Sequence, residues 1–294
     1  MKQTILGAIY LSLAASIWGG MYVVSKYVLD FIPPLTLVWL RFIIAFVVLY
    51  GILKLAEKKQ KKKATIRKKD WLLFAWIGFI GYFISITCQF IGTKLSDAHT
   101  GSLVTSATPA FMVIFAALIL KEKLTARRLL STIIATIGVI IVIGWDIEIG
   151  SYFIGTIILV GAAITWALLS IYVKIASIQF SSLVITTYAI FFSLFFITPF
   201  MIWELQAASI GTVNTYVILG VLYLGIVSTA GAFFLWNKGL ELLDASIGSL
   251  FFFFQPIVGS LLGWLLLNET LNSNFFIGGI LIICSVLITT FEKK

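Results

Sequence analysis

Residues 95–125 read LSDAHTGSLVTSATPAFMVIFAALILKEKLT, and residues 242–272 read LLDASIGSLFFFFQPIVGSLLGWLLLNETLN. Set 147 positions apart, Leu95, Asp97, Ala98, Gly101, Ser102, Leu103, Pro109, Leu118, Leu120, Glu122 and Leu124 recur as Leu242, Asp244, Ala245, Gly248, Ser249, Leu250, Pro256, Leu265, Leu267, Glu269 and Leu271. Near the start an offset of 148 does the same, from Gly7, Ile9, Leu11, Ala14, Ala15, Trp18 and Lys26 to Gly155, Ile157, Leu159, Ala162, Ala163, Trp166 and Lys174. Composition alone gives roughly two or three matches per thirty positions, so the chain carries an internal duplication. The period is far too long for a solenoid.

The composition puts that duplicated unit in lipid. Of 294 residues, 61% are hydrophobic and only 11% charged, whereas a soluble chain carries about 25% charged residues. A soluble fold of this size still exposes a large surface that such a composition cannot cover. A helical crossing takes about 20 residues, and windows of that width predict ten, at 5–24, 35–55, 71–92, 98–120, 129–145, 152–175, 183–203, 216–235, 245–267 and 275–290. Continuous apolar runs without alternation favour helices over a barrel. The expected fold is therefore an all-α integral membrane protein of ten transmembrane helices, built as two five-helix repeats over residues 1–147 and 148–294. Five crossings per repeat invert the second copy, a mark of secondary transporters. The first segment has the look of a signal peptide, with Lys2, an apolar stretch and Ala14, Ala15 and Ser16. Its internal copy around Trp166 argues for a retained helix instead.

Charge gives the orientation. The formal net charge is +9, and the lysines and arginines gather between alternate helices. Lys2, the run from Lys54 to Lys69, Lys121, Lys123, Arg127, Arg128, Lys174, Lys238, Lys293 and Lys294 fall on one side, and only Lys26 and Lys94 on the other. The opposite side collects Asp30, Asp97, Asp146, Glu148, Glu204 and Glu269. This bias predicts a plasma or inner membrane location with both termini cytoplasmic. The basic run between Lys58 and Lys69 is expected to lie on anionic lipid headgroups, with no nucleic-acid partner. Cys88 and Cys284 lie in predicted helices without metal-ligand or disulfide spacing, and read as small buried apolar residues.

The residues resemble a known family. Trp18-Gly19, Lys26, Pro33-Pro34 and Arg41 are followed by Ala98, Gly101, Leu103, Pro109 and Glu122-Lys123-Leu124-Thr125. The second half repeats Ala245, Gly248, Leu250, Pro256, Glu269-Thr270-Leu271-Asn272 and Gly278. This pattern resembles the drug/metabolite transporter superfamily, in its ten-helix branch with two EamA-type domains. The resemblance implies export of amino acids, drugs or other small metabolites. The chain departs from the pattern at Ala167, where glycine is usual, and at Tyr188, near the place of Arg41.

Candidate site residues follow from the polar and aromatic groups inside the predicted helices. Pro109 and Pro256 are expected to kink helices 4 and 9 and free the carbonyls of Thr105 and Phe252 beside a cavity; an architectural kink is the alternative. Arg41 is expected either to snorkel to the outer headgroups or to face a substrate carboxylate or an outer acid such as Asp30 or Asp97. Trp18 and Trp166, with Tyr22, Tyr172, Tyr188 and Trp236, read either as aromatic cavity walls or as packing. Gln255 leads the polar candidates, with Gln89, Thr93, Ser106, Thr108 and Asn237 behind it. Lys26 and Lys174 suit helix C-termini, Asp97 and Asp244 suit caps of helices 4 and 9, and Glu122 and Glu269 suit the start of the helix that follows each. His99, the only histidine, reads as a solvated outer residue.

No acid falls clearly at mid-membrane, and no glycine-rich phosphate loop or paired-histidine motif is present. Neither a cofactor nor a metal is expected, and ATP-driven transport by this chain alone is not. The reading is a secondary transporter of a small molecule by alternating access, most simply an exporter. An importer or exchanger of a polar metabolite is the runner-up. An integral-membrane enzyme or a non-transporting sensor is the alternative of another class.

Overall fold

The computed structural model describes residues 2–60, 65–96, 98–143, 151–267 and 273–290. Every regular element among them is helical. The first half holds α1 (Lys2–Leu29), α2 (Pro34–Gln60), α3 (Lys68–Leu95), α4 (Ala98–Thr105 and Thr108–Ile119) and α5 (Ala126–Ile143). The second holds α6 (Ser151–Ala176), α7 (Ser182–Ala207), α8 (Thr215–Leu242), α9 (Ala245–Ser249, Leu250–Phe253 and Phe254–Leu267) and α10 (Ser273–Thr290). Six of these, α1, α2, α3, α6, α7 and α8, are long and apolar enough to cross a membrane. The expectations at Asp97, residues 61–64, 144–150, 268–272 and 291–294, and the side chain of His99, lie outside the described residues.

Local chemistry sets the helix starts. Pro34 opens α2, where its missing N–H is one of the orphan donors and its fixed φ is already helical. The Asp70 carboxylate accepts from Arg67 N at 2.9 Å at the head of α3. Asn214 Oδ1 accepts from Val217 N at 2.9 Å at the head of α8, and Thr125 Oγ1 accepts from Arg128 N at 3.2 Å at the head of α5.

The two halves interlock. α1 packs on α8 and α9, and its copy α6 packs on α3 and α4. α2 lies against α7 and α8, α7 lies against α2 and α3, and α5 lies against α10. The duplication therefore survives as repeated contacts. Its clearest trace is a pair of lysines. Lys26 Nζ donates to the carbonyls of Thr93 and Ser96, at 3.5 and 3.0 Å. Lys174 Nζ donates to those of Leu240 and Leu243, at 2.7 and 2.6 Å. Each lysine closes the C-terminus of the third helix in its own half, rather than that of its own helix. Cations belong there, beside the unpaired carbonyls at the negative end of the dipole.

Several expectations are corrected. Pro109 does not kink a continuous helix. It stands in the first turn of Thr108–Ile119, after a break at Ser106 and Ala107. Proline is tolerated in a first turn because no intrahelical donor is lost there. Pro256, by contrast, lies inside a helix that runs on from Ala245, just after the tighter 3-10 turn Leu250–Phe253. Asp244 does not cap its own helix with its side chain; its carboxylate takes Arg128 Nη2 at 3.1 Å instead. Glu122 pairs with Arg128 in the first turn of the next helix, at 3.5 Å, and reaches past it to the other half. It accepts from Ala245 N at 3.0 Å, Ser246 N at 3.3 Å and Ser246 Oγ, and so satisfies the head of α9. Of the two cysteines, Cys88 is half-buried and Cys284 is exposed rather than buried.

A glycine permits a close approach of α1 to α9 across the halves. A Cβ on Gly19 in α1 would come 2.6 Å from the Gln255 carbonyl and 2.9 Å from the Gly259 N of α9. Both obstacles are backbone, so they cannot rotate away. Gly19→Ala is expected to force α1 and α9 apart and cost about 1–3 kcal/mol. Thermal unfolding of the purified variant in detergent would register this as a lower midpoint; an unchanged midpoint would mean the two helices separate freely.

Candidate functional site

The centre of the molecule is an aromatic cluster drawn from both halves. Trp18 and Trp166, the duplicated pair, meet edge to face with centroids 5.1 Å apart. Trp18 stacks near Phe252 at 5.7 Å and lies 5.4 Å from Trp236. Trp166 meets the edge of Phe233 at 5.2 Å, and Phe233 stacks on Tyr82 at 4.7 Å. These separations suit favourable offset and edge contacts.

A narrow cavity runs along this cluster. Its walls include Trp18, Met21, Gln89, Trp166, Phe233 and Gln255, with Ser85, Thr105, Thr108 and Phe252 among the remaining lining. The unfilled space totals about 310 Å³, yet only about 10 Å³ of it takes the centre of a water molecule. The site is thus collapsed around its own side chains. Three of those side chains keep a buried polar atom without a partner: Gln89 Oε1, Gln255 Oε1 and Trp166 Nε1. Buried polar groups are normally paired, so two acceptors and one donor gather here uncommitted.

Backbone irregularities build these walls. α3 carries a π-helical stretch at Gly78–Ser85, and α8 carries one at Tyr223–Gly231. They overlap under the 147-residue offset. A π turn widens the helix and breaks the simple ladder, and such turns gather at functional sites. Side chains repair them. Thr229 Oγ1 donates to the Leu224 carbonyl at 2.6 Å, and Trp18 Nε1 donates to that of Ser228 at 3.0 Å. The broken α4 is repaired likewise. Thr108 Oγ1 donates to the Thr105 carbonyl at 2.6 Å, so the acceptor expected to be free is taken.

Arg41 sits deep in the protein with none of its surface exposed. It does not snorkel. Its Nε donates to Thr229 Oγ1 at 2.6 Å and its Nη2 to Ser228 Oγ at 3.4 Å. Its guanidinium lies 4.9 Å from the Phe90 ring and 5.7 Å from the Phe233 ring, in reach of cation–π attraction. Among the described residues no carboxylate pairs with it, and Asp30 is exposed at the surface. Met21, 3.6 Å from Nη1 through its sulfur, and Phe233 both touch Arg41 and line the cavity.

The structure brings together Trp18, Trp166, Gln89 and Gln255 on the cavity wall, with Tyr22, Arg41 and Trp236 directly behind it. Tyr188 does not join them. It packs on Trp71 and Phe74, 4.9 and 5.8 Å away, toward the start of α3. Tyr172 likewise meets Trp76. Pro109 and Pro256 are off the lining, which their neighbours Thr108 and Gln255 supply. Sequence reading missed Met21, Phe233, Phe252, Ser228 and Thr229. Phe252 and Phe233 sit in apolar runs that carry no local signal. The polar pair Ser228-Thr229 inside an apolar helix was a visible one.

Against known proteins, the EamA-like transporter family model matches residues 5–144 and again 153–291. The chain belongs to the EamA-like transporter family. It is 28% identical to the uncharacterized transporter YetK of Bacillus subtilis (strain 168), over 97% of this chain and 87% of that one. It is 26% identical to a probable amino-acid metabolite efflux pump of Escherichia coli (strain K12), over 96% and 94% of the two chains. A solved crystal structure superposes with a TM-score of 0.79 at 19% identity, covering 99% of both chains, which shows a shared fold. This EamA-like protein is therefore a multi-pass membrane transporter and not an enzyme.

A short relay holds the polar side of the site. Gln89 Nε2 donates to Tyr22 Oη at 2.6 Å, Tyr22 Oη meets Thr105 Oγ1 at 2.6 Å, and Thr105 Oγ1 donates to the Gly101 carbonyl at 2.7 Å. Tyr22→Phe removes the middle link and strands the Gln89 amide. The expected cost is about 1–3 kcal/mol, read as a lower chemical-denaturation midpoint. Full retention of stability would mean that Gln89 finds another acceptor.

Proposed function

We propose that this EamA-like transporter is a secondary exporter of small organic metabolites that carry a carboxylate, amino acids and related compounds or drugs of that chemistry. In this reading α1–α10 are ten crossings, arranged as two five-helix repeats of opposite orientation around a central site. The membrane is the plasma or inner membrane, with both termini cytoplasmic. The duplication and the lysine and arginine bias support the arrangement. The relative named as an amino-acid metabolite efflux pump supports the direction and the substrate class.

The observation that carries the substrate chemistry is Arg41. A guanidinium in the membrane interior is costly, and such groups face protein or a water-filled path. Here it has neutral hydroxyls and aromatic faces but no carboxylate beside it. A substrate carboxylate supplies the missing counter-charge once Met21 and Phe233 move aside. The unpaired Trp166 Nε1 adds a donor, and Gln89 Oε1 and Gln255 Oε1 accept from an ammonium or amide group. No carboxylate lines the cavity, so organic cations have no ion-pair partner there.

Access changes through the contacts between halves. At the end assigned to the cytoplasm, Glu122 holds the head of α9, and Arg128 bridges to Asp244 at 3.1 Å and Ser246 at 2.7 Å. At the other end, the Glu204 carboxylate of α7 accepts from Leu35 N and Thr36 N at the head of α2. Releasing one set while keeping the other opens the site to one side at a time.

Reconstituted protein is expected to move labelled amino acids or simple carboxylates in preference to organic cations. Arg41→Gln is expected to cut that carboxylate transport about tenfold or more, and Trp166→Ala and Gln255→Ala to weaken binding by a similar factor. Unchanged affinity in all three variants would place the site elsewhere.

Topology is checked separately. Cysteines introduced at Lys62 and Glu148 are expected to react with an impermeant thiol reagent from the cytoplasmic and the outer side respectively. Labelling of residue 62 in intact cells would reverse the orientation.

A further inference from the structure

A second, larger depression lies away from the central cavity, on the outer surface between α3, α6 and α7. It encloses about 630 Å³ and is open along its outer side. Lys69, Leu72, Trp76 and Phe79 of α3 form one wall, and Tyr172 and Phe196 form the other. Their spacing of three, four and three residues along α3 puts the four on one stripe of the helix. The aromatic walls brace each other: Trp76 lies 6.0 Å from Tyr172, and Phe79 lies 5.1 Å from Phe196. Leu72 is 75% and Trp76 41% exposed, so the stripe faces outward.

Length and charge identify an occupant. From Lys69 to Phe79 the helix rises about 15 Å, half of the roughly 30 Å hydrocarbon core. The groove therefore runs from the aqueous end of α3 to mid-membrane, through one leaflet. At its head stands Lys69, exposed and without a carboxylate partner among the described residues. Lys68 is exposed beside it, while Asp70 is turned back onto Arg67 N. An apolar channel one leaflet long, with an unpaired ammonium at its aqueous end, fits a single phospholipid molecule with an anionic headgroup.

We propose that this groove is a binding site for one anionic phospholipid, whose acyl chain lies over the joined faces of Trp76, Phe79, Tyr172 and Phe196 and whose phosphate meets Lys69. A zwitterionic lipid offers the same chain, but its positive headgroup opposes Lys69. The site is separate from the central cavity, so the proposal stands whether or not the exporter reading does. It ties the basic approach to α3 to one defined lipid, beyond a general attraction to the leaflet.

Native mass spectrometry of the full chain, purified in non-ionic detergent with equal phosphatidylglycerol and phosphatidylcholine, tests it. The wild type is expected to retain one phosphatidylglycerol in preference to phosphatidylcholine, by about fivefold per lysine engaged. Lys69→Gln is expected to abolish most of that preference and Lys69→Arg to keep it. Trp76→Ala is expected to reduce retention of both lipids, because it removes a wall rather than the charge. Lys123→Gln, which changes an exposed lysine elsewhere, serves as the control. Equal retention of the two lipids by the wild type, or an unchanged preference in Lys69→Gln, would overturn the assignment.

Discussion

A backbone carbonyl or amide left without a partner in hydrocarbon costs several kcal/mol, and this constraint shapes the centre of the protein. Regular helices meet it by themselves. Irregular backbone is tolerated only where protein side chains or a cavity supply what the ladder lacks. α3, α4, α8 and α9 all depart from regular α-helix, and they do so around the same aromatic cluster. Thr108, Thr229 and the Trp18 indole each deliver a hydrogen to a carbonyl in the disturbed segments of α4 and α8. The site is thus assembled from the residues that make the irregularity affordable. Changing one of them changes the backbone as well as the lining.

The duplication keeps the scaffold and varies the chemistry. Both halves retain the lysine that ties the third helix, the π stretch in that helix, and irregular backbone before the proline of the fourth. At the positions that face the centre the copies differ. Gln89 donates to Tyr22 in the first half, and at the matching places Trp236 Nε1 donates to Ser170 Oγ at 3.2 Å. Arg41 has the apolar or aromatic neighbourhood of Ala189 and Tyr188 as its counterpart. The charge of Arg41 therefore comes from the first half alone, while both halves supply hydrogen-bonding groups and aromatic surface. On the proposed reading, such a site reads the charged end of a ligand and stays tolerant of the rest.

The repeat, the helical class and several residues that line the central cavity were legible in the chain. Trp18 and Trp166 are marked by recurrence, and Gln255 by a polar side chain in an apolar run. What sequence concealed was set by packing between distant segments. The prolines announced irregular backbone, but nothing local distinguished a kink inside a helix from the first turn after a break. The π stretches arise where Gly78 and Gly225 allow close approach by α7 and α2, a contact between halves. Tyr188 was placed by its alignment with Arg41. It instead faces the start of α3, because one residue of offset around a helix turns a side chain by about 100°. Glu122 was read as serving its nearest helix, since sequence distance hides that the head of α9 lies closer.

The collapsed cavity and the uncommitted groups around it belong together. Gln89 Oε1, Gln255 Oε1 and Trp166 Nε1 are buried without partners, which is unfavourable in a closed core. Arg41 is buried with only neutral neighbours. Tight aromatic packing holds this arrangement shut, and the Glu122 and Glu204 contacts at the two ends reinforce it. On the proposed reading, a bound substrate relieves the unpaired groups and separates the aromatic rings, so occupancy and opening are coupled through the same residues. An empty site then closes spontaneously by restoring ring contacts. If the protein is the exporter proposed, a carrier that returns without its cargo needs that bias, and aromatic packing between the two halves would supply it.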